Sequence, residues 1–264
     1  METLLRAMGE MVQIATADAR KMNGAVRTHI DLFSGIGGFA LACRWAGIET
    51  IAFCEIEKYA QRVLRKNFPG IRIFEDVRQF PATQFREPFL LTGGYPCQPF
   101  SQAGKRRGAE DDRHLWPSMF GIIRTSRPNW ILAENVAGHV SMGLDEVLAD
   151  LESEDYATQP LIIPACAVNA LHRRDRVWVI ANANSKRFSK NNIQEKINHQ
   201  VIGEKQPIMF DLSSRIEQGP RNIRGNDGLS DRVDSNRVKA LGNAIVPQVA
   251  YEIIKAMIEA DESA

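Results

Sequence analysis

Several things are scarce in this sequence, and each absence narrows what the chain can be. Its 264 residues include four cysteines, Cys43, Cys54, Cys97 and Cys166, with no C-x-x-C pair among them. That spacing fits neither a zinc knuckle nor a disulfide framework, and it points to a reducing compartment. The five histidines share no metal-ligand spacing, so no metal is expected. No apolar run is long enough to span a bilayer. The N-terminus carries charges where a signal peptide would need an apolar core, so the expected location is the cytoplasm, with no membrane. Net charge is missing too: 33 Lys and Arg stand against 32 Asp and Glu, a balance of +1. Global charge therefore argues for no class of partner, and only local clusters can. The hydrophobic fraction of 44% is ordinary for a chain that builds a real core.

From His29 onward, short apolar runs alternate with helical periodicity. His29–Phe33, Thr50–Cys54, Ile71–Phe74, Phe89–Leu91, Trp130–Ala133 and Val177–Ala181 read as strands. Between them Phe39–Ala46, Ile56–Asn67, Trp116–Ser126 and Met142–Ser153 read as helices. A further helix begins at Pro247, a favoured first position, with Val246, Val249, Ile253 and Met257 on one face. The alternation predicts βαβ units and a doubly wound, mostly parallel α/β sheet. Residues 1–28 read as an N-terminal extension with a short amphipathic helix, and Met22 as a possible functional start. Cys43, Cys54 and Cys166 are expected to be small core residues.

Two stretches carry chemistry. In Leu90-Leu91-Thr92-Gly93-Gly94-Tyr95-Pro96-Cys97-Gln98-Pro99-Phe100-Ser101, glycines stop a strand and two prolines bracket a thiol. The prolines stiffen the loop at the strand's C-terminal end, the edge where open α/β sheets bind ligands. A thiol aimed there suits a nucleophile, although this loop alone leaves open an inert buried cysteine. The second stretch, Ser34-Gly35-Ile36-Gly37-Gly38, is a glycine turn between strand and helix. It lets a ligand approach the backbone and leaves helix amides free. Acidic residues close the next two strands, Glu55 and Asp76, where a nucleoside's ribose and adenine would be met.

These residues resemble the DNA cytosine-5 methyltransferase family. Asp31 to Gly38 is similar to its first motif, and Gly94 to Ser101 to its catalytic loop. Glu134-Asn135-Val136 is similar to its glutamate motif, His172 to Val177 to its arginine motif, and Lys239 to Gln248 to its closing motif. The matches fall in the family's order across most of the chain.

The resemblance implies an S-adenosyl-L-methionine-dependent enzyme with a Rossmann-like fold. Cys97 would attack C6 of a flipped-out cytosine, turning the poorly nucleophilic C5 into an enamine-like carbon. Glu134 would meet N3 and the exocyclic amine as a protonated acid, and Arg174 and Arg176 would hold O2 and orient Cys97. Phe33, Gly35, Ile36 and Gly37 would line the cofactor, Glu55 its ribose, and Asp76 and Val77 its adenine. Pro96, Leu115 and Asn243 would complete that pocket. No side chain identifies itself as the base for the C5 proton, and water is open to the role.

The loop after Cys97 carries Lys105, Arg106, Arg107 and Arg113, a local basic cluster expected to contact DNA phosphates, and Ser101 ahead of it is expected to bind DNA as well. Residues 182–236 turn polar and locally basic, and the resemblance makes this short interval the target-recognition region. An arginine motif expected before the closing one has no clear counterpart, leaving Arg232 or Arg237 as a stand-in. The expected organisation is thus a catalytic and cofactor-binding domain over 29–181, the recognition interval, and a return to the domain over 237–264. The expected partners are double-stranded DNA and a cognate restriction endonuclease, with the chain itself a monomer. Two alternatives stay open on sequence: a tRNA-directed cytosine-5 methyltransferase, and a non-catalytic relative that binds DNA or cofactor.

Overall fold

The structure is a computed structural model, and it describes residues 26–96, 115–141, 143–168, 170, 173–183 and 238–263. The expected N-terminal helix, Cys97 with the basic loop that follows it, and nearly all of the recognition interval lie outside the described residues.

Seven strands form one sheet: β1 Thr28–Leu32, β2 Glu49–Cys54, β3 Arg72–Phe74, β4 Leu90–Gly93, β5 Trp130–Val136, β6 Ala157–Pro164 and β7 Asp175–Asn182. Their spatial order is β3-β2-β1-β4-β5-β7-β6. The first five in that order are parallel, and β7 runs antiparallel to both β5 and β6. The chain therefore winds outward from β1 to β3, then returns to place β4 on the other side of β1. That reversal opens a crevice outside the C-terminal ends of β1 and β4. The glycine turn and the stem leading to Cys97 both leave the sheet there.

Helices α1 Gly38–Trp45, α2 Lys58–Asn67, α3 Trp116–Ser126, α4 Leu144–Ser153 and α5 Pro247–Glu262 cover the sheet. On one face Met119, Ile122 and Ile123 of α3 and Val147 and Leu151 of α4 pack on Ile30, Leu32, Leu91, Ile131 and Val179. On the other, Phe39 and Cys43 of α1 and Val249, Ile253 and Met257 of α5 enclose Leu90, Trp130, Leu132, Trp178 and Ile180. Burying a side chain of this size stabilises the fold by about 1.5–3 kcal/mol, so both layers are integral. The stripe predicted on the last helix is the face that α5 buries. Arg27, just before β1, reaches Glu262 at the end of α5 through a 3.0 Å contact.

Two sequence expectations need correction. Strand β6 was not predicted, because Pro160 and Pro164 interrupt its apolar pattern; an edge strand tolerates proline. Cys166, expected in the core, is exposed in the short helical turn after β6, while Cys43 and Cys54 are buried as expected.

Inside the sheet runs a buried polar chain. His29 Nδ1 lies 2.9 Å from the Thr50 hydroxyl and His29 Nε2 lies 2.8 Å from the Thr92 hydroxyl. Thr92 in turn donates to Asp31 Oδ1 at 3.0 Å. Burial pushes the His29 imidazole down to about 3 and the Asp31 carboxyl up to about 8, so both are uncharged near neutrality.

Candidate active site

A cavity of about 490 Å³ opens at the crevice. Its walls are built from strand ends, so their positions follow from the sheet. The turn after β1 supplies Phe33, Gly35 and Ile36, the exit of β2 supplies Glu55, and the exit of β3 supplies Asp76 and Val77. Pro96 from the β4 exit and Leu115 before α3 face them, and Asn243 comes from the distant closing segment. Glu134, Arg174 and Arg176 line the same cavity. Residues as far apart in the sequence as Phe33 and Asn243 thus share one space.

The glycine turn is shaped by backbone demands. Phe33 takes a φ of 54°, a left-handed conformation that costs a non-glycine residue about 1–3 kcal/mol. Gly37 has a φ of 89°, and a Cβ there would come within 2.6 Å of the Phe68 ring. Gly37, expected to line the cofactor, packs against Leu64 and Phe68 and is not among the residues lining the cavity.

Glu55 is buried at the end of β2, where its Oε2 accepts from the Gly35 amide at 2.6 Å and its Oε1 from the Glu57 amide at 2.7 Å. Burial raises its carboxyl above the usual range, and the two amides draw it back. The carboxylate is thereby locked against the glycine turn with acceptor capacity to spare, which suits it to a pair of hydroxyl groups. Asp76 is occupied differently: Arg78 donates to it from its backbone amide, Nε and Nη2 at 2.9–3.1 Å, and holds its carboxyl below the usual range. Ile56, which sequence reasoning passed over, stands 64% exposed beside the cavity and offers an apolar face. Its signal was an apolar residue directly after an acidic strand end. An apolar slot formed by Phe33, Ile56 and Val77 beside a fixed carboxylate fits a purine nucleoside.

At the other end of the cavity, Glu134 and Arg176 form a close pair, with Arg176 Nε 2.8 Å from Glu134 Oε1. Both side chains are largely withdrawn from water. Burial raises the Glu134 carboxyl, and the two neighbouring guanidinium groups, Arg176 first and Arg174 second, pull it down. Register explains the pairing. Asn135 and Val136 of β5 face Val177 and Arg176 of antiparallel β7, which brings the two motifs side by side.

Arg174, which lines the same cavity, is also tied to the closing segment. Its Nη2 donates to the carbonyls of Gly242 and Ala244 at 2.8 and 2.9 Å, clasping the closing segment against the start of β7. Ile245 of that segment packs on Gly38 so closely that a Cβ there would meet its Cγ1 at 2.6 Å. Lys239 adds an exposed pair with Glu57 at 2.8 Å. The closing motif is held over the glycine turn, and this is what brings Asn243 to the cavity.

Cys97, Ser101, Lys105, Arg106 and Arg107 lie outside the described residues. The chain is described up to Pro96, which lines the cavity and immediately precedes Cys97. Among the described residues no cluster of His, Cys, Asp or Glu could hold a metal, and no helix is long and apolar enough to cross a membrane.

Residues 27–232 match the family described as C-5 cytosine-specific DNA methylase. The type II methyltransferase M.HhaI of Haemophilus parahaemolyticus is 31% identical over 234 residues, which cover 79% of this chain and 71% of that protein. M.NgoMIV of Neisseria gonorrhoeae is 32% identical over 204 residues, 75% of this chain and 64% of its own length. Other curated relatives are longer, and the chain spans only 42% and 41% of two of them. In fold, the chain is similar to the Entamoeba histolytica methyltransferase EhMeth, with a TM-score of 0.60 at 16% identity over 89% of this chain and 99% of that one. The ordered motifs, the strand-end geometry and these matches agree: the chain belongs to the C-5 cytosine-specific DNA methylase family.

Proposed function

We propose that the chain methylates C5 of a cytosine rotated out of duplex DNA, with Cys97 as the nucleophile at C6. The observation that carries this reading is the single cavity in which the glycine turn, the Glu55 carboxylate and the Glu134–Arg176 pair converge on Pro96, one residue before Cys97.

S-adenosylmethionine, held by Phe33, Gly35, Ile36, Glu55, Asp76 and Val77 with Pro96, Leu115 and Asn243 closing the pocket, supplies a sulfonium-bound methyl group when bound. The chain's own residues do the rest. The sulfur of Cys97 forms a bond to C6, and electron density moves to C5. Guanidinium groups in the same cavity favour the thiolate that this attack needs. Glu134, whose proton affinity is raised by burial, keeps a proton at N3 and relieves the negative charge that develops on the ring. Arg176 fixes Glu134 and turns its remaining N–H groups toward O2. Arg174 serves the site from behind by holding the closing segment in place. C5 would then take the methyl group, its former bonding pair staying on the donor's sulfur, and the S–C6 bond breaks as the C5 proton passes to water, returning Cys97 as the thiolate.

Lys105, Arg106 and Arg107 are proposed to meet DNA phosphates, with Ser101 beside them, and the interval 182–236 to read the target in the major groove. Duplex DNA is the proposed partner, and the type II naming of the relatives supports a companion restriction endonuclease.

The test is labelled methyl transfer to duplex DNA and to tRNA, together with trapping on DNA carrying 5-fluorocytosine, whose C5 fluorine cannot leave as a proton does. Transfer to DNA and a trapped complex that Cys97→Ala abolishes are expected. Normal transfer by Cys97→Ala, or transfer to tRNA alone, would overturn the reading.

A further inference from the structure

We propose that Tyr95 and His139 are a positioning pair that sets the stem of the nucleophile loop, and through it the approach of Cys97 to the base. The inference rests on the assignment of Cys97 above.

Tyr95 stands two residues before Cys97 and is gripped at both ends. Its backbone carbonyl accepts a hydrogen bond from Asn135 Nδ2 at 3.1 Å, and its hydroxyl lies 2.8 Å from His139 Nε2. Asn135 is the next-to-last residue of β5 and His139 sits in the helical turn directly after the strand, so one short stretch of chain fixes both the main chain and the side chain of Tyr95. Both rings are buried, and they meet edge to face with centroids 5.4 Å apart.

Neither ring has room to yield. The far side of Tyr95 rests on Trp116 at 5.2 Å, and Trp116 Nε1 donates to Asp150 Oδ2 at 2.7 Å. The far side of His139 rests on Gly143, where a Cβ would come within 3.1 Å of the imidazole Cε1. Helix α4 carries none of the family motifs, yet through Asp150 at its middle and Gly143 at its start it supports the last described turn before the thiol.

Packing alone does not call for this chemistry. A phenylalanine facing a leucine would fill similar space without desolvating a hydroxyl and an imidazole, and exchanging both members of a buried polar pair for apolar groups is often neutral for stability. A hydrogen bond adds direction, which two apolar side chains lack. At a loop stem direction matters, because small misplacements of a reacting atom cost rate far more than they cost stability.

The experiment measures single-turnover methyl transfer, cofactor Kd and thermal midpoint for Tyr95→Phe, His139→Leu and the double variant. Each single change is expected to slow transfer about tenfold with cofactor Kd unchanged, and to lower the midpoint by stranding a buried polar group. The double variant is expected to regain the midpoint, since neither polar group remains, while its rate stays as low as that of the singles. A rate that recovers together with the midpoint would reduce the pair to packing and overturn the proposal. Wild-type rates in both single variants would do the same. Should His139→Leu fail to fold, Tyr95→Phe carries the test, since it removes one oxygen and keeps the ring. Cys97→Ala separates the two levels: an active Cys97→Ala sinks the nucleophile assignment itself, whereas an inactive one beside fully active single variants sinks only the positioning role.

Discussion

Two buried carboxylates stand at strand ends in one cavity, and the fold restrains them by opposite means. Glu55 is held by two backbone amides, Glu134 by the guanidinium of Arg176. Burial raises both. An amide grip comes with the main-chain path, so Glu55 stays aimed as long as the glycine turn keeps its shape. A guanidinium grip depends on one side chain and brings a full positive charge, which opposes burial and tunes how firmly Glu134 keeps its proton. Fixed acceptance of hydroxyl groups suits the first arrangement, and charge relief on a reacting ring suits the second.

The strongest way to break the comparison is at Glu134. Glu134→Gln should slow single-turnover transfer by about 10³-fold while leaving cofactor affinity in place, because it removes an acid and not a nucleoside contact. Glu55→Ala should do the reverse. Cofactor Kd, measured by calorimetry, should weaken by about 10- to 100-fold, with turnover at saturating cofactor largely kept.

A third buried carboxylate sharpens the contrast. Asp31 has neither grip in full, and burial pushes it up to about 8 from 3.8. It is protonated in the folded chain and ionised in the unfolded one between those values, so its contribution to stability falls as pH rises from 3.8 through about 8. His29 acts in the other direction and in a lower window, losing its contribution as pH falls from 6.5 toward about 3. Between 6.5 and 8 the thermal midpoint should therefore drop in the natural chain, and Asp31→Asn should flatten that drop. The smallest effect is expected at the exposed Lys239–Glu57 pair, where Lys239→Ala should leave the thermal midpoint unchanged within error.

What could be read in the sequence was whatever the backbone itself demands. The Gly35-Ile36-Gly37-Gly38 turn, the Gly93-Gly94 stop and Pro247 at a helix start announce local geometry through residue type, and the strands beside them were placed within a residue or two. Strand β6 was hidden because Pro160 breaks its pattern, a signal that cannot distinguish an edge strand from a loop. Arg174 was legible only through its place in the arginine motif. Its contacts with the carbonyls of Gly242 and Ala244 were not, because no local pattern points to main-chain atoms so far along the chain. Gly37 was legible as a turn residue but not as a contact of Phe68, which depends on how α2 docks. The Tyr95–His139 pair was hidden for the same reason, since each residue looks like ordinary core alone.

The grip of Arg27 on Glu262 has a practical consequence. The flanks of the folded unit meet there, so a short linker could splice them and the polypeptide could be reopened in the interval after β7. Such a circular permutant should still retain the cavity at the strand ends, with its new termini placed in the interval after β7.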